Sequence, residues 1–122
     1  MDTPDRMGPP AGGAVPDGTA PELKVSSLPR RTGLRAAGEV SLATRVIWEH
    51  ALDRAVREGE DVYDLELSAV TFVDVAGVGV LADAVRQLEP GRRIVLHRPP
   101  PALPRILEMF WPGLPGIEVT MS

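Results

Sequence analysis

The chain has 122 residues, of which 43% are hydrophobic and 25% are charged, and its formal net charge is −4. A chain of this length forms about one domain with a sizeable core, and its negative charge argues against nucleic acid or an anionic membrane surface as a partner. The sequence has no cysteine, which excludes disulfides, thiolate metal sites and cysteine nucleophiles. It shows neither a secretion signal nor an apolar run of about 18 residues that would span a membrane, so we expect a cytoplasmic protein.

The beginning of the chain differs in composition from the rest. Residues 1–21 contain 5 prolines and 4 glycines but almost no large apolar side chain. Such a segment cannot bury enough apolar area to offset its ordering entropy. We therefore predict a disordered tail over residues 1–21 and a single domain over residues 22–122.

Two short apolar segments open the predicted domain. Leu23–Leu28 alternates partially between apolar and polar residues and stops at Pro29, which is typical of an edge strand. The next segment, Arg31–Val40, is predicted to pair with it as a hairpin. Ser41 is then a plausible N-cap for a first helix over Leu42–Glu58.

The middle of the chain alternates between strand and helix patterns. A strand is predicted near Val62–Leu67, with Val70–Val73 either as its continuation or as packing in the following loop. Asp74 precedes a helix in which apolar residues recur at positions 78, 81, 85 and 88, the spacing of a buried stripe. Arg92–His97 has the composition of a buried strand in a parallel sheet.

The last part of the chain adds one helix and one strand. Pro101 suits the first turn of a helix that ends before Trp111, and Ile117–Met121 is predicted as an edge strand. This alternation of strands and helices predicts an α/β domain with right-handed crossovers. We expect a mixed, mostly parallel sheet of about four to five strands packed with about three to four helices.

The junction between the predicted strand and helix around Asp74 is the most informative segment. At the carboxyl end of a parallel strand the next helix presents free N–H groups, and α/β proteins usually bind ligands there. Asp74 stands at the cap position, where its side chain can accept from these groups. Gly77 and Gly79 also fit a degenerate dinucleotide-binding fingerprint, but the following strand ends in His97 and Arg98 instead of an acidic residue for the ribose. Close packing of helix on sheet explains these glycines equally well, so we predict no cofactor.

Few residues are candidates for catalysis. His50 lies at an exposed position of the first helix and His97 ends a strand, and we interpret both as solvated or capping residues because neither has a partner in sequence. Asp64 and Glu66 share one face of a strand, which is more often its wetter face than an acid pair. With no Gly-x-Ser-x-Gly motif and no metal-ligand set, we predict that the protein is not an enzyme and binds no metal.

Several arginines cluster locally. Arg30, Arg31 and Arg35 lie near the predicted hairpin, and Arg92 with Arg93 begins a strand. Only 4% of the residues are aromatic, so these arginines are not interleaved with rings that would stack on nucleic acid bases. We interpret them as a solvated edge.

Two segments of the chain resemble the STAS domain family, to which the bacterial anti-sigma factor antagonists belong. Residues 38–44, Gly-Glu-Val-Ser-Leu-Ala-Thr, are similar to the family's Gly-Glu-hydrophobic-Asp-hydrophobic-Ala-Thr. Residues 66–81 resemble the family's Asp-Leu-Ser-x-Val-x-Phe-hydrophobic-Asp-Ser-Ser/Thr-Gly-Leu-Gly-x-Leu. The segments 94–96 and 101–107 are similar to the family's later strand and last helix, so the resemblance covers residues 23–121 and implies the STAS fold.

The resemblance also implies the functional positions. In this family the residue before the glycine is a serine or threonine that a kinase-type anti-sigma factor phosphorylates, and here it is Ala76. Its neighbour, also commonly serine, is Val75, and the motif's aspartate is replaced by Ser41, so Asp74 alone remains of the polar cluster. A phosphate would add about two negative charges at this helix N-terminus, and Ala76 has no oxygen to carry it.

The resemblance implies two candidate functions. The first is a regulatory domain that binds a histidine-kinase-like anti-sigma factor or a related regulator without being switched by phosphorylation. The alternative is an accessory or ligand-sensing STAS domain of a transport or lipid-trafficking system. Ser68 and Thr71 are the only nearby fallback hydroxyls, and we expect both to face away or to lie in the strand and turn. The predicted partner-binding residues are Ser41, Leu42, Ala43, Asp74, Val75, Ala76, Gly77 and Val78.

Overall fold

The computed structural model describes residues 21–58 and 60–121, so the predicted tail, apart from Pro21, lies outside the described residues. Within these ranges no helix is both long enough and apolar enough to cross a bilayer. The described chain forms five strands, three α-helices and one short 3-10 turn. In order these are β1 (Leu23–Ser27), β2 (Gly33–Val40), the 3-10 turn (Leu42–Thr44), α1 (Arg45–Arg57), β3 (Val62–Val73), α2 (Val75–Arg86), β4 (Arg93–His97), α3 (Ala102–Phe110) and β5 (Ile117–Thr120).

The five strands form one sheet in the order β1-β2-β3-β4-β5. Strand β1 is antiparallel to β2, and every other neighbouring pair is parallel. Because β-α-β crossovers are right-handed and the strand order never reverses, the three helices lie on one face of the sheet. This arrangement confirms the predicted α/β domain with its mixed, mostly parallel sheet.

The central strand β3 separates the two faces of the sheet. Tyr63, Leu65 and Leu67 point toward the helices and are at most 1% exposed, while the residues between them point to the face that carries no helix. Full burial of one such side chain stabilises the fold by about 1.5–3 kcal/mol, so these alternating positions fix the register of the sheet. The helices complete the core with Trp48 of α1, Leu81 of α2 and Leu103 of α3.

Strand β3 joins two segments that the sequence left separate. It runs without interruption from Val62 to Val73, so the apolar run Val70–Val73 continues the strand predicted near Val62–Leu67. Its pairing register with β2 shifts at two places, so one continuous strand accommodates both segments. The strand therefore carries the chain directly to the start of α2.

Helix α1 begins later than the sequence predicts. It starts at Arg45, and residues 42–44 form the 3-10 turn. The Thr44 hydroxyl donates to the Glu39 carbonyl at 2.7 Å and accepts from the Ser41 amide at 3.0 Å, which holds this turn closed. Ser41 precedes the 3-10 turn, and the N-cap of α1 is Thr44, so the prediction of Ser41 as the cap of the first helix is wrong. The buried hydroxyl oxygen of Ser41 has no hydrogen-bond partner among the described residues. The Thr44 side chain, which sequence reasoning did not single out, therefore stabilises the turn.

Arg92 closes the other end of α1. Strand β4 begins one residue after the predicted start, and the Arg92 guanidinium donates to the carbonyls of Ala55, Val56 and Glu60 at 2.8–2.9 Å. The last carbonyls of a helix lack partners within the helix, and a cation is favourable beside them. The interpretation of this arginine as part of a solvated edge is therefore wrong.

Candidate functional site

The carboxyl ends of β2 and β3 lie side by side at one edge of the sheet. Val40 is the register partner of Val73, and the Asp74 amide donates to the Val40 carbonyl at 3.1 Å. Because the two strands are parallel, the turn after β2 and the start of α2 meet at this edge. The two segments that carry the family resemblance are therefore neighbours in the structure.

Asp74 is held from two sides. Its Oδ1 accepts from the Gly77 amide at 2.7 Å and its carbonyl accepts from the Val78 amide at 3.1 Å, which confirms Asp74 as the N-cap of α2. The Arg45 guanidinium of α1 donates to the same carboxylate at 3.2 and 3.4 Å, and the Arg45 and Asp74 side chains are 20% and 30% exposed. Sequence reasoning missed Arg45 because its partner lies 29 residues away.

Gly77 allows α2 to approach β2 closely. A Cβ atom at this position would lie 2.6 Å from Val40 Cγ1 and 2.9 Å from Asp74 Oδ1. The Trp48 indole, buried in α1, donates from Nε1 to the Gly77 carbonyl at 2.9 Å. Packing therefore explains Gly77 without a dinucleotide, since its amide is already bound to Asp74.

The predicted partner-binding residues divide into exposed and buried groups. Leu42 is 80% exposed and Val75 is 47% exposed, and Ala43 and Ala76 are exposed as well. Ser41 and Asp74 are half-buried in the turn and the cap. Gly77 and Val78 are buried, so they lie in the core beneath this surface and do not offer side-chain area to a partner.

Three further apolar side chains are exposed nearby, two in the first turn of α1 and one at the end of β3. Val46 is 61%, Ile47 44% and Phe72 49% exposed. Val73 points into the core, so Phe72, the residue before it, points away from the helices. Contiguous exposed apolar patches usually mark interaction sites. We call this surface the apolar rim, which comprises Leu42, Ala43, Val46, Ile47, Phe72, Val75 and Ala76.

The first turn of α2 offers no acceptor for a phosphoryl group. Its first two residues are Val75 and Ala76, which have no hydroxyl. Ser68 and Thr71 both lie in β3, and each hydroxyl donates to a group of the sheet, at 2.6 and 3.3 Å. The nearby hydroxyls therefore belong to the strand and not to the helix N-terminus.

A groove of about 220 Å³ lies between α1 and α2, further along both helices from the rim. Three carboxylates, Glu49, Asp53 and Asp83, line it, and no described lysine or arginine does. Asp53 and Asp83 pair with Arg57 and Arg86, so Glu49 is the carboxylate of this groove that has no ion pair among the described residues.

His97 is not the solvated or capping residue that the sequence suggests. Its Nε2 donates to Asp64 Oδ1 at 2.5 Å, and the two side chains are only 16% and 12% exposed. Asp64 lies on the face of β3 that carries no helix and is nevertheless buried, so the interpretation of this face as the wetter one fails at Asp64. His50, by contrast, is exposed on α1.

Comparison with known protein families identifies one match. The family model described as "Mlab, STAS domain" matches residues 23–111, which is most of the chain. By sequence, no curated protein matches the chain. The family match therefore covers every strand but β5, all three helices and the whole apolar rim.

Three solved structures with the same fold are of anti-sigma factor antagonists. One from Mycobacterium paratuberculosis is 20% identical, with a TM-score of 0.64, over 84% of this chain and 88% of that chain. The unphosphorylated antagonist SpoIIAA is 19% identical, with a TM-score of 0.60, over 83% of this chain and 90% of that chain. The phosphorylated form of the Bacillus cell fate determinant SpoIIAA is 20% identical, with a TM-score of 0.59, over 83% of this chain and 93% of that chain. At these identities the likeness establishes the fold.

Proposed function

Because the chain belongs to the STAS domain family, we propose that it is a non-enzymatic regulatory domain whose apolar rim binds a histidine-kinase-like anti-sigma factor or a related regulatory protein. The observation that carries this proposal is the position of the rim. Five of its exposed side chains, those of Leu42, Ala43, Phe72, Val75 and Ala76, come from the two segments that match the family motifs, and Val46 and Ile47 follow in the first turn of α1. A docking surface at this place needs no catalytic group and no cofactor.

The rim offers apolar area at a low cost of desolvation. Each Å² of apolar surface that a partner covers contributes about 25 cal/mol before the costs of association. The Asp74 carboxylate, next to the rim residue Val75, is already bound to Arg45 and to the Gly77 amide, so covering it leaves it paired. The hydrogen bond from Trp48 to Gly77 holds α1 and α2 together, which keeps the surface preformed.

Glu49, in the groove beside the rim, favours a positive charge on the partner. It would meet the periphery of a protein docked on the rim, whereas Asp53 and Asp83 are already paired with Arg57 and Arg86. Complementary charges at an interface speed association and exclude wrong partners. We therefore expect the partner to present an apolar centre with lysine or arginine beside it.

Partner binding is expected to be independent of phosphorylation. When the protein is incubated with a histidine-kinase-like anti-sigma factor and ATP, no phosphate should appear on the first turn of α2, because Val75 and Ala76 have no hydroxyl. Intact-mass and peptide mass spectrometry measure this directly. Stoichiometric phosphate on Ser68 or Thr71 would contradict partner binding that is independent of phosphorylation.

The substitution Ala76→Glu tests the rim itself. A glutamate in the first turn of α2 suits the positive end of the helix, so the fold should be retained. The same charge has to be desolvated in an apolar interface, and we expect affinity for the regulator encoded beside this gene to fall by at least about tenfold. Isothermal titration calorimetry at matched thermal stability measures the change.

Ala102→Glu is a matched control for this experiment. Ala102 is exposed in the first turn of α3, so the variant adds the same charge at the same kind of helix position but outside the rim. Its affinity should equal that of the wild type. Equal affinities of the wild type and Ala76→Glu would mean that the partner binds elsewhere on the domain.

The second candidate is an accessory STAS domain of a transport or lipid-trafficking system. It is favoured by the description of the matching family model, which names Mlab. The same rim could dock on a transporter subunit, so the two candidates differ in the partner and not in the surface. Titration of the wild type and Ala76→Glu with a transporter subunit encoded nearby separates them, because only the true partner should bind in a way that Ala76→Glu weakens.

A further inference from the structure

A second feature lies on the sheet face that carries no helix. The turn between β1 and β2 lies beside β3, where the Asp64 amide donates to the Thr32 carbonyl at 3.0 Å. A cavity of about 310 Å³ opens beside this turn. Its lining comprises Leu28, Pro29, Arg30, Arg31, Glu66 and His97.

The acidic groups of this cavity are already bound within the protein. Asp64 accepts from His97, and Glu66 Oε1 accepts from the Ser68 amide at 3.1 Å and from its hydroxyl at 2.6 Å. Burial raises the pKa of Glu66, but the Ser68 hydrogen bonds and the nearby Arg98 and Arg35 outweigh burial and lower it overall. The negative charge of Glu66 is therefore balanced by groups of the protein and would repel an anionic ligand only weakly.

The arginines around the cavity, in contrast, make few close interactions with the described residues. Arg30 makes no hydrogen bond or ion pair with any residue that the structure describes. Arg31 is 59% exposed, and its guanidinium lies 3.9 Å from Asp64, too far for a hydrogen bond. Arg98 lies 3.7 Å from Glu66 and is the one described non-glycine residue with a positive φ, 50°. Such a backbone conformation is uncommon for arginine and directs its side chain to this place at a conformational cost.

The local charge is opposite to that of the whole chain. Around the cavity four arginines, at 30, 31, 35 and 98, face the two carboxylates of Asp64 and Glu66, whereas the formal net charge of the protein is −4. Guanidinium groups bind carboxylates and phosphates through paired, charge-assisted hydrogen bonds. The wall formed by Leu28 and Pro29 adds an apolar surface next to them.

We infer that this cavity is a binding site for a small organic anion, a carboxylate or a phosphate monoester that carries an apolar group. The anionic group would bind Arg30 and Arg31, and the apolar group would pack on Leu28 and Pro29. The volume lies at the small end of the range for ligand pockets, about 300–1,000 Å³, so the ligand is about the size of one substituted ring. This site is separate from the apolar rim and does not depend on the function proposed for it.

Phenyl phosphate and benzoate are suitable probes, with phenol as the uncharged probe of the same ring. We expect both anions to produce saturable amide shifts in two-dimensional ¹⁵N NMR spectra of the full chain, centred on Leu28, Arg30, Arg31, Glu66 and His97. Arg30→Gln breaks no ion pair with any described residue, so it should leave the fold intact and weaken binding by about tenfold, as expected for the loss of a charge-assisted hydrogen bond.

The control variant is Arg57→Gln, which removes the same charge from the exposed end of α1, where Arg57 pairs with Asp53. Its affinity should match that of the wild type. Saturation by only one of the two anions would support the site and identify its anionic group as phosphate or carboxylate. Three results would overturn the inference: shifts that do not saturate with either anion, equal weakening by both variants, or binding of phenol as tight as that of the anions.

Discussion

Replacing Gly77 with alanine is expected to lower the free energy of unfolding by about 3 kcal/mol, from overpacking and from the loss of a helix cap. The added Cβ would lie 2.6 Å from Val40 Cγ1, closer than two carbon atoms can pack. It would also lie 2.9 Å from Asp74 Oδ1, the atom that caps α2. Either α2 moves away from β2 or Asp74 leaves the cap, and both changes displace the apolar rim.

Urea unfolding followed by circular dichroism measures this effect, with Gly79→Ala as the matched control. Gly79 lies in the same helix, and its added Cβ would only touch the Trp111 ring at 3.5 Å. Alanine is favoured over glycine inside a helix by about 1 kcal/mol, so this variant should be neutral or more stable than the wild type. A Gly77→Ala protein as stable as Gly79→Ala would refute the close approach of α2 to β2.

Replacing Trp48 with alanine is expected to cost about 3–5 kcal/mol, a large part of the stability of a domain of this size. The Trp48 side chain is 1% exposed, so truncation leaves a cavity between α1, α2 and the sheet. It also removes the hydrogen bond from Nε1 to the Gly77 carbonyl at 2.9 Å. Trp48→Phe separates the two contributions, because it keeps most of the ring but loses this bond, and the bond alone contributes about 1 kcal/mol.

Met109→Ala serves as the control for the Trp48 variants. Met109 is a large apolar residue that is 67% exposed on α3, so its truncation should change stability by no more than about 0.5 kcal/mol. The same unfolding experiment compares all three variants. A cost for Trp48→Ala near that of Met109→Ala would mean that Trp48 does not hold α1 against α2.

The two variants at the α1–α2 contact also connect stability with binding. Gly77→Ala and Trp48→Phe leave every side chain of the apolar rim unchanged, yet they alter the support beneath it. Ala76→Glu changes the rim and leaves that support intact. Comparing the three in calorimetry therefore separates loss of the surface from loss of its preformed geometry.

Local patterns in the sequence predicted the elements of the fold. The alternation of Tyr63, Leu65 and Leu67 identified a strand, and the apolar stripe after Asp74 identified α2 with its cap. These predictions were confirmed because strand period, helix period and capping depend on residues at most a few positions apart. The bounds were less accurate at the start of α1, where the Thr44 side chain holds a 3-10 turn.

Residues that are distant in the sequence meet in ways that no local pattern encodes. Arg45 binds Asp74 and Trp48 binds Gly77 across 29 positions, and His97 binds Asp64 across 33. Each pair joins two elements whose relative placement follows from the crossovers and the sheet register. Local patterns therefore predict a solvated or capping His97 and an Asp64 on the wetter face of its strand.

The α/β class, the order of the elements and the place of the family motifs follow from the sequence, since they depend on periodicity and residue identity. The absence of a hydroxyl at Ala76 is likewise read directly from the sequence. That Phe72 is exposed whereas Val73, its neighbour in the same apolar run, is buried follows from the tertiary structure. The physical reason is that exposure depends on which element covers a side chain: the three helices cover one face of the sheet, and Phe72 points away from them.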